Sequence, residues 1–409
     1  MYSTRVLVLF GLLLTCALLA QPANAQQQSA PASQAAGADQ TPAPPGDIAE
    51  RAEKARDAGR LQEAIELSRQ GVKAEPKWVE GWWFIGTLLY EGDKYAEAKP
   101  AFERMIELAP RNGNGFAMLA LCEFETKEYE QSLDHMNKAR ALGINDNIQF
   151  NVVVRYHHGI LLTKYGRFAE GYQALLYLAR YQDENAKVLE AMGLNVLEMP
   201  YLPGETPSDK LDLVTKTGRA IFCMLAKRPV EGDEAFKALI AKYPNVPKLH
   251  YFYGVFLITD RSDDAIAEFK RELEISPENI FALLALASEY INRNDYAAAL
   301  PYALRAVEVA PGQAGPHLAL GRILVETGKA DEGIGQLELA ERFDPDNSKV
   351  HFALAHAYQK VDRKEDAKKE RERFLTLDAA EREKWGKETV PASAPADKPG
   401  DKPSDKPRQ

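Results

Sequence analysis

"IFALLALASEYINRNDYAAALPYALRAVEVAPGQ" (residues 280–313) holds two amphipathic helix patterns joined by the polar turn "NRND". On either side of that turn, apolar and small residues recur at spacings of three and four, the mark of a helix with one buried face. Ala287 and Ala299 have almost no side chain, so two helices can approach closely at these positions. Pro311 cannot continue a helix, so it closes the second one and turns the chain. One such hairpin cannot bury its own apolar face, whereas a stack of them can.

The stretch is one copy of a repeat. Pro277, Pro311 and Pro345 stand 34 residues apart, and so do Pro76 and Pro110. Two columns of small residues keep the same interval. Gly86 and Ala120 share one of them with Ala287, Gly321 and Ala355. Ala64 and Ala98 share the other with Ala265, Ala299, Gly333 and Ala367. Residues 79–112 repeat the pattern with Trp82, Gly86, Tyr95, Ala98, Phe102 and Pro110. Further copies begin near residues 113, 152, 213, 246, 314 and 348, and a degenerate one covers 45–78.

This pattern resembles the tetratricopeptide repeat, a helix–turn–helix of 34 residues with small residues where its helices meet. In the copy at 280–313, Leu286, Ala287, Tyr290, Tyr296, Ala299, Ala306 and Pro311 match it. The resemblance implies an all-α, right-handed superhelical solenoid of about eight to nine repeats, each touching mainly the next. The expected blocks are 48–185 and 213–378, separated by a degenerate half-repeat with a Pro-rich loop at 186–212. A capping helix is expected at 379–388. In the unit at 246–279, Gly254 and Ala265 are one residue closer than Gly86 and Ala98, and the turn "DRSDD" absorbs the deletion.

The chain's ends are different material. "MYSTRVLVLFGLLLTCALLAQPANA" has Arg5, an apolar run and an Ala-x-Ala ending at Ala25, the layout of a secretory signal peptide. Residues 26–47 read as a Gln/Ala/Pro linker, and the Asp-Lys-Pro tail at 389–409 as extended and disordered. An exported protein, periplasmic or extracellular, is expected. The formal net charge is −9, and losing residues 1–25 removes one arginine and no acid. That balance argues against nucleic acid as a partner. No segment after the signal is long and apolar enough to span a membrane.

Residues 78–98 hold Trp78, Trp82 and Trp83. Trp82, Gly86 and Leu89 share the helix side that meets the second helix, so Trp82 is expected to be structural, and Trp78 to staple the start of the unit. Trp83, Thr87 and Tyr90 form the adjacent stripe. The resemblance implies that first helices line a concave surface, so this stripe is a candidate groove. Its counterparts are Phe124, Tyr156, Phe281, Leu284, Ile291, Leu318 and Phe352. Tight superhelical winding, which would bury the stripe between units, is the alternative. The framework positions are Trp82, Gly86, Ala98, Phe102, Pro110, Ala287, Tyr290, Ala299, Pro311, Gly321 and Pro345.

No catalytic constellation emerges. The chain has no Gly-x-Ser-x-Gly, no phosphate loop and no His-Glu-x-x-His. His157 and His158 are adjacent, so on a helix they diverge by about 100°. His250, His317 and His351 share the slot of Trp82 and read as packing residues, and no metal or cofactor is expected. "DPDNS" (344–348) coincides with a turn between units and lacks a calcium loop's glycine and distal glutamate. The Lys/Asn clamp with which some family members hold a peptide carboxylate is absent: Trp83, Thr87, Ala117, Leu121, Leu284 and Ser288 stand there. Cys122 and Cys223 lie on first helices of well-separated units and read as buried thiols.

The expectation is therefore a non-catalytic scaffold or adaptor of the bacterial envelope that grips a segment of another protein. A component of an exopolysaccharide or protein secretion assembly, and a self-associating structural protein, are the alternatives.

Overall fold

The computed structural model describes residues 46–144, 147–180 and 184–389. Residues 1–25, expected as a signal peptide, and nearly all of the expected linker and tail fall outside them. Among the described residues every regular element is a helix. Paired helices run α1 (Gly46–Asp57) and α2 (Leu61–Ala74), α3 (Val79–Glu91) and α4 (Tyr95–Leu108), α5 (Gly113–Glu125) and α6 (Tyr129–Leu142). Next come α7 (Ile148–Lys164) and α8 (Phe168–Arg180), the single helix α9 (Ala186–Val196), then α10 (Leu211–Leu225) and α11 (Pro229–Lys242). The remaining pairs are α12 (Leu249–Leu257) with α13 (Ser262–Ile275), α14 (Ile280–Asn292) with α15 (Tyr296–Val309), and α16 (Ala314–Glu326) with α17 (Ala330–Phe343). The last is α18 (Ser348–Lys360) with α19 (Lys364–Thr389). The chain divides into two compact units, Met1–Ala235 and Phe236–Gln409.

The turn inside each pair follows one rule. Gly59, Asp93, Lys127, Gly166, Lys227, Asn294, Gly328 and Asp362 all have positive φ, between 56° and 86°. At Asp93 the cap is a Schellman turn: Lys94 N–H donates to the Leu89 carbonyl (2.9 Å) and Asp93 N–H to that of Tyr90 (3.1 Å). The short unit lacks this left-handed residue. Its turn closes through Asp260 and Arg261, whose N–H groups both donate to the Leu257 carbonyl.

Within a pair, small residues let the helices close. A Cβ placed on Gly86 would stand 2.7 Å from ring carbons of Phe102, and one on Gly254 would stand 2.5 Å from Phe269. Ala98, Phe102, Ala287 and Ala299 are fully buried. Pro110 sits just beyond the C-cap of α4. In the first unit one apolar core runs from Ala52 to Ala174. A second core joins α7, α8, α9 and α10 around Leu175, Met192 and Phe222.

Helix α9 has no second helix of its own in sequence; the loop 197–210 follows it. It crosses α10 at close range, where Gly193 meets the Val214 carbonyl and Gly218 that of Leu189. Asn195 ties it to the α7–α8 turn by donating to Thr163 Oγ1 (2.9 Å) and the Phe168 carbonyl (3.0 Å). Glu190 holds the loop by accepting from Gly204 N (2.8 Å) and Thr206 Oγ1 (2.5 Å).

The C-terminus differs from expectation. The helix does not break near 378 to give a separate cap at 379–388; α19 runs unbroken from Lys364 to Thr389. "LDAAEREKW" has neither proline nor glycine with which to break it. No described helix is long and apolar enough to cross a membrane.

Candidate partner-binding surface

The three tryptophans at the head of α3 divide their work differently from what spacing suggests. Trp83, expected on the groove, is 9% exposed and meets Phe102 edge-on, ring centroids 5.8 Å apart. The cause is Gly86: Phe102 lies over that glycine, so a ring one turn earlier on α3 packs against it. Trp82 is half-buried in a 360 Å³ cleft between Val72 of the preceding second helix and Pro100 and Ala101 of its own. Its indole N–H donates to the Pro76 carbonyl at 3.0 Å. Trp78 caps α3 and lies over Gly71 and Gly81.

The rest of the stripe divides by unit. In the first unit Thr87, expected on the groove, is buried and donates to the Phe84 carbonyl. Tyr90 and Phe124 are half-buried against Tyr95 and Tyr129, at centroid distances of 5.2 and 5.4 Å. Phe124 and Tyr156 both pack on His157. In the second unit Ile291, also expected on the groove, is buried; at that register position its side chain joins the core of α14, α15 and α16. Leu284 and Leu318 are half-buried. Phe281 and Phe352 are 62% and 60% exposed.

A column one turn further along the first helices makes the contrast plain. Thr87 and Leu121 are buried in the first unit, whereas Val255, Ser288, Arg322 and His356 are exposed in the second. Open first-helix surface therefore lies on α12, α14, α16 and α18. Tyr251 and Phe281 meet across two of these helices at 5.9 Å. Leu284 approaches Gly315, where a Cβ would stand 3.2 Å away. His356 and Lys360 on α18 both bond Glu326 on α16, at 2.8 and 2.6 Å.

The histidines that share the Trp82 slot share its bond too. Nε2 of His250, His317 and His351 donates to the carbonyls of Pro244, Pro311 and Pro345 at 3.0, 2.9 and 2.9 Å. Their Nδ1 atoms face Glu268 Oε2 (2.5 Å), Gln336 Oε1 (2.7 Å) and Glu370 Oε2 (2.6 Å). The device is legible once the register is known: a ring N–H six residues after the inter-unit proline.

Other buried polar groups are structural. Glu272, fully buried, accepts from Lys248 N (2.6 Å), Tyr251 N (3.3 Å) and Asn279 Nδ2 (2.9 Å), which caps α12. His158 is buried between Asn137 Oδ1 (3.0 Å) and Arg140 (3.3 Å). Burial, with the charges of Arg140 and Arg167, pushes it down to about 3, so the ring is neutral. Cys122 and Cys223 are both buried free thiols, pushed above the ordinary range by burial.

A profile described as "Tetratricopeptide repeat" matches residues 50–113, 85–147 and 284–348. Anaphase-promoting complex subunit 3 of Schizosaccharomyces pombe is 28% identical over 139 residues, 33% of this chain and 21% of that protein. Human protein O-mannosyl-transferase TMTC3 is 24% identical over 266 residues, 62% of this chain and 28% of that protein. The chain thus spans less than a third of the length of either relative. Among solved structures, MamA 41-end from Desulfovibrio magneticus RS-1 is 23% identical, with a TM-score of 0.36, over 42% of this chain and 96% of that one. Another MamA structure is 18% identical, with a TM-score of 0.37, over 45% of this chain and 98% of that one. With the 34-residue register, the small residues where helices cross and the repeated left-handed turn, residues 50–147 and 284–348 are tetratricopeptide repeats.

Proposed function

We propose that the chain is an exported, non-catalytic scaffold that grips a segment of another envelope protein on the first-helix surface of its second unit. The observation that carries this reading is the exposure of Phe281 and Phe352 beside half-buried Leu284 and Leu318. Covering a phenylalanine ring fully is worth about 1.5–3 kcal/mol. Two such rings, on α14 and α18 with one repeat between them, suit a partner with apolar anchors at intervals, as helical or extended segments offer. Arg322 stands exposed between them and favours an acidic residue beside the anchors.

Export is supported by Arg5, the apolar run and the Ala-x-Ala end of residues 1–25. By its name, anaphase-promoting complex subunit 3 belongs to a multi-protein complex, which agrees with a scaffold role. TMTC3 is named as a transferase, and none of that chemistry is carried over to this chain.

Photo-crosslinking tests the reading. p-Benzoylphenylalanine replaces Phe281, Phe352 or, as a control on α19, the exposed Leu375. The expected result is one adduct shared by the first two positions in the envelope fraction and absent from the third. No adduct, or the same adducts from all three positions, would overturn it.

A further inference from the structure

The inter-unit clefts that follow a repeat-ending proline at Pro76, Pro244, Pro311 and Pro345 share three register positions. One lies four residues before the inter-unit proline, the second is the ring slot six residues after it, and the third is on the following second helix. At the cleft of α3 these are Val72, Trp82 and Ala101. At His250 they are Ile240, His250 and Glu268, and at His317 they are Val307, His317 and Gln336. At the last cleft they become Glu341, His351 and Glu370. Here all three positions carry a group able to ligate a metal.

Their donor atoms lie within 4.8 Å of one another, with His351 and Glu370 buried and Glu341 half-buried. The cleft has a volume of 440 Å³ and is open to solvent beside Glu372 and Lys369. Arg373, also on its wall, is engaged by Asp346 at 2.7 Å. His351 is already oriented: its Nε2–H is held by the Pro345 carbonyl, which aims Nδ1 into the cluster. A backbone carbonyl on the far nitrogen is the usual outer partner of a metal-bound histidine.

We infer that Glu341, His351 and Glu370 form a binding site for a divalent transition metal of the zinc class. Imidazole nitrogen with two carboxylates suits that class, and three protein ligands leave a fourth position to water. Tetrahedral ligands at ~2.1 Å from zinc stand about 3.4 Å apart. Glu341 therefore closes inward by side-chain rotation, while the Glu370 carboxylate, now 2.6 Å from Nδ1, backs away to make room for the ion and His351 stays in place. The proton now shared by Nδ1 and the Glu370 carboxylate leaves to solvent as the ion enters. Lys369 and Arg373 on the wall set the affinity below that of a fully acidic cage.

The His250–Glu268 pair is the internal control, since Ile240 takes the place of Glu341 there. Untagged full-length protein, stripped of metal, is titrated with Zn²⁺ by calorimetry and with Co²⁺ by visible absorption. The result expected is one equivalent of Zn²⁺ bound, with the Co²⁺ d–d bands of a four-coordinate site. Glu341→Val restores the apolar residue of the other clefts, so it keeps the fold. It should weaken Zn²⁺ by more than about tenfold, the loss that even an outer-shell partner's removal causes. His351→Gln should abolish the Co²⁺ bands, and His250→Gln should leave them unchanged. Absence of saturable binding, or binding that survives Glu341→Val, overturns the inference and leaves His351–Glu370 as a structural pair like His250–Glu268.

Discussion

The indole N–H of Trp82 donates to the carbonyl of Pro76, and the imidazole N–H of three histidines repeats that bond one proline at a time along the second unit. The proline that ends one repeat is thus tied to the first helix of the next. Trp82→Phe keeps a smaller aromatic ring in the half-buried cleft and deletes the donor. It should cost about 0.5–1.5 kcal/mol, the net worth of one hydrogen bond. Trp83→Ala removes a buried ring from Phe102 and should cost about 3–5 kcal/mol. Urea unfolding of the two variants checks the order, which is the reverse of what a groove-facing Trp83 would give.

Gly86 and Phe102 set the closest approach within a pair. Gly86→Ala should destabilise by about 1–3 kcal/mol because the buried ring has nowhere to go. Phe102→Leu removes the atoms that clash, so the double variant should cost less than the sum of the two single ones. A double-mutant cycle measures this coupling.

Lys127 and Lys227 occupy the left-handed turn position that glycine fills at Gly59, Gly166 and Gly328. An L-residue there costs roughly 1–2 kcal/mol, part of which glycine gives back through its looser unfolded state. Lys127→Gly should therefore stabilise the protein by about 0.5–1 kcal/mol, and Gly328→Ala should destabilise it by about as much. Thermal melts of both variants test the pair of signs.

His158 and His250 respond to pH in opposite directions. Burial holds His158 well below its ordinary 6.5, so below that pH the unfolded chain takes up a proton that the folded one refuses. Stability from this group falls as pH drops, by up to about 1.4 kcal/mol per pH unit. For His250, burial opposes the charge, but the bond to Glu268, the Pro244 carbonyl and the nearby Glu272 hold it above 6.5. Its contribution is complete below 6.5 and is lost as pH rises through the folded value. Stability measured between about pH 5 and 6.5 should flatten in His158→Gln, and the decline above 6.5 should lessen in His250→Gln.

The framework was legible because it is local. Pro76, Pro110, Gly86, Ala98, Ala287 and Gly321 act within one or two helices, and a 34-residue interval exposes them directly. Which first-helix residues stay open was not legible from one repeat, because it depends on how neighbouring helices close over Trp83, Thr87 and Ile291. Residue type held only part of the signal: the column of Thr87 and Leu121 continues as Val255, Ser288, Arg322 and His356, and the last three are polar where the surface is open. Glu341 was also available in register, as a carboxylate in a column of Val72, Ile106, Ile240 and Val307. The unbroken α19 was missed because a charged, exposed helix carries little apolar period to follow.

The central claim is that the first-helix surface of the second unit binds a polypeptide. The partner recovered by crosslinking should be titrated against wild type and a Phe281→Ala, Phe352→Ala double variant, each followed through urea unfolding. Both rings are largely solvated, so the account predicts an unchanged unfolding midpoint and an affinity weakened by more than about tenfold, as expected for lost interface anchors. An unchanged affinity in the double variant would contradict it.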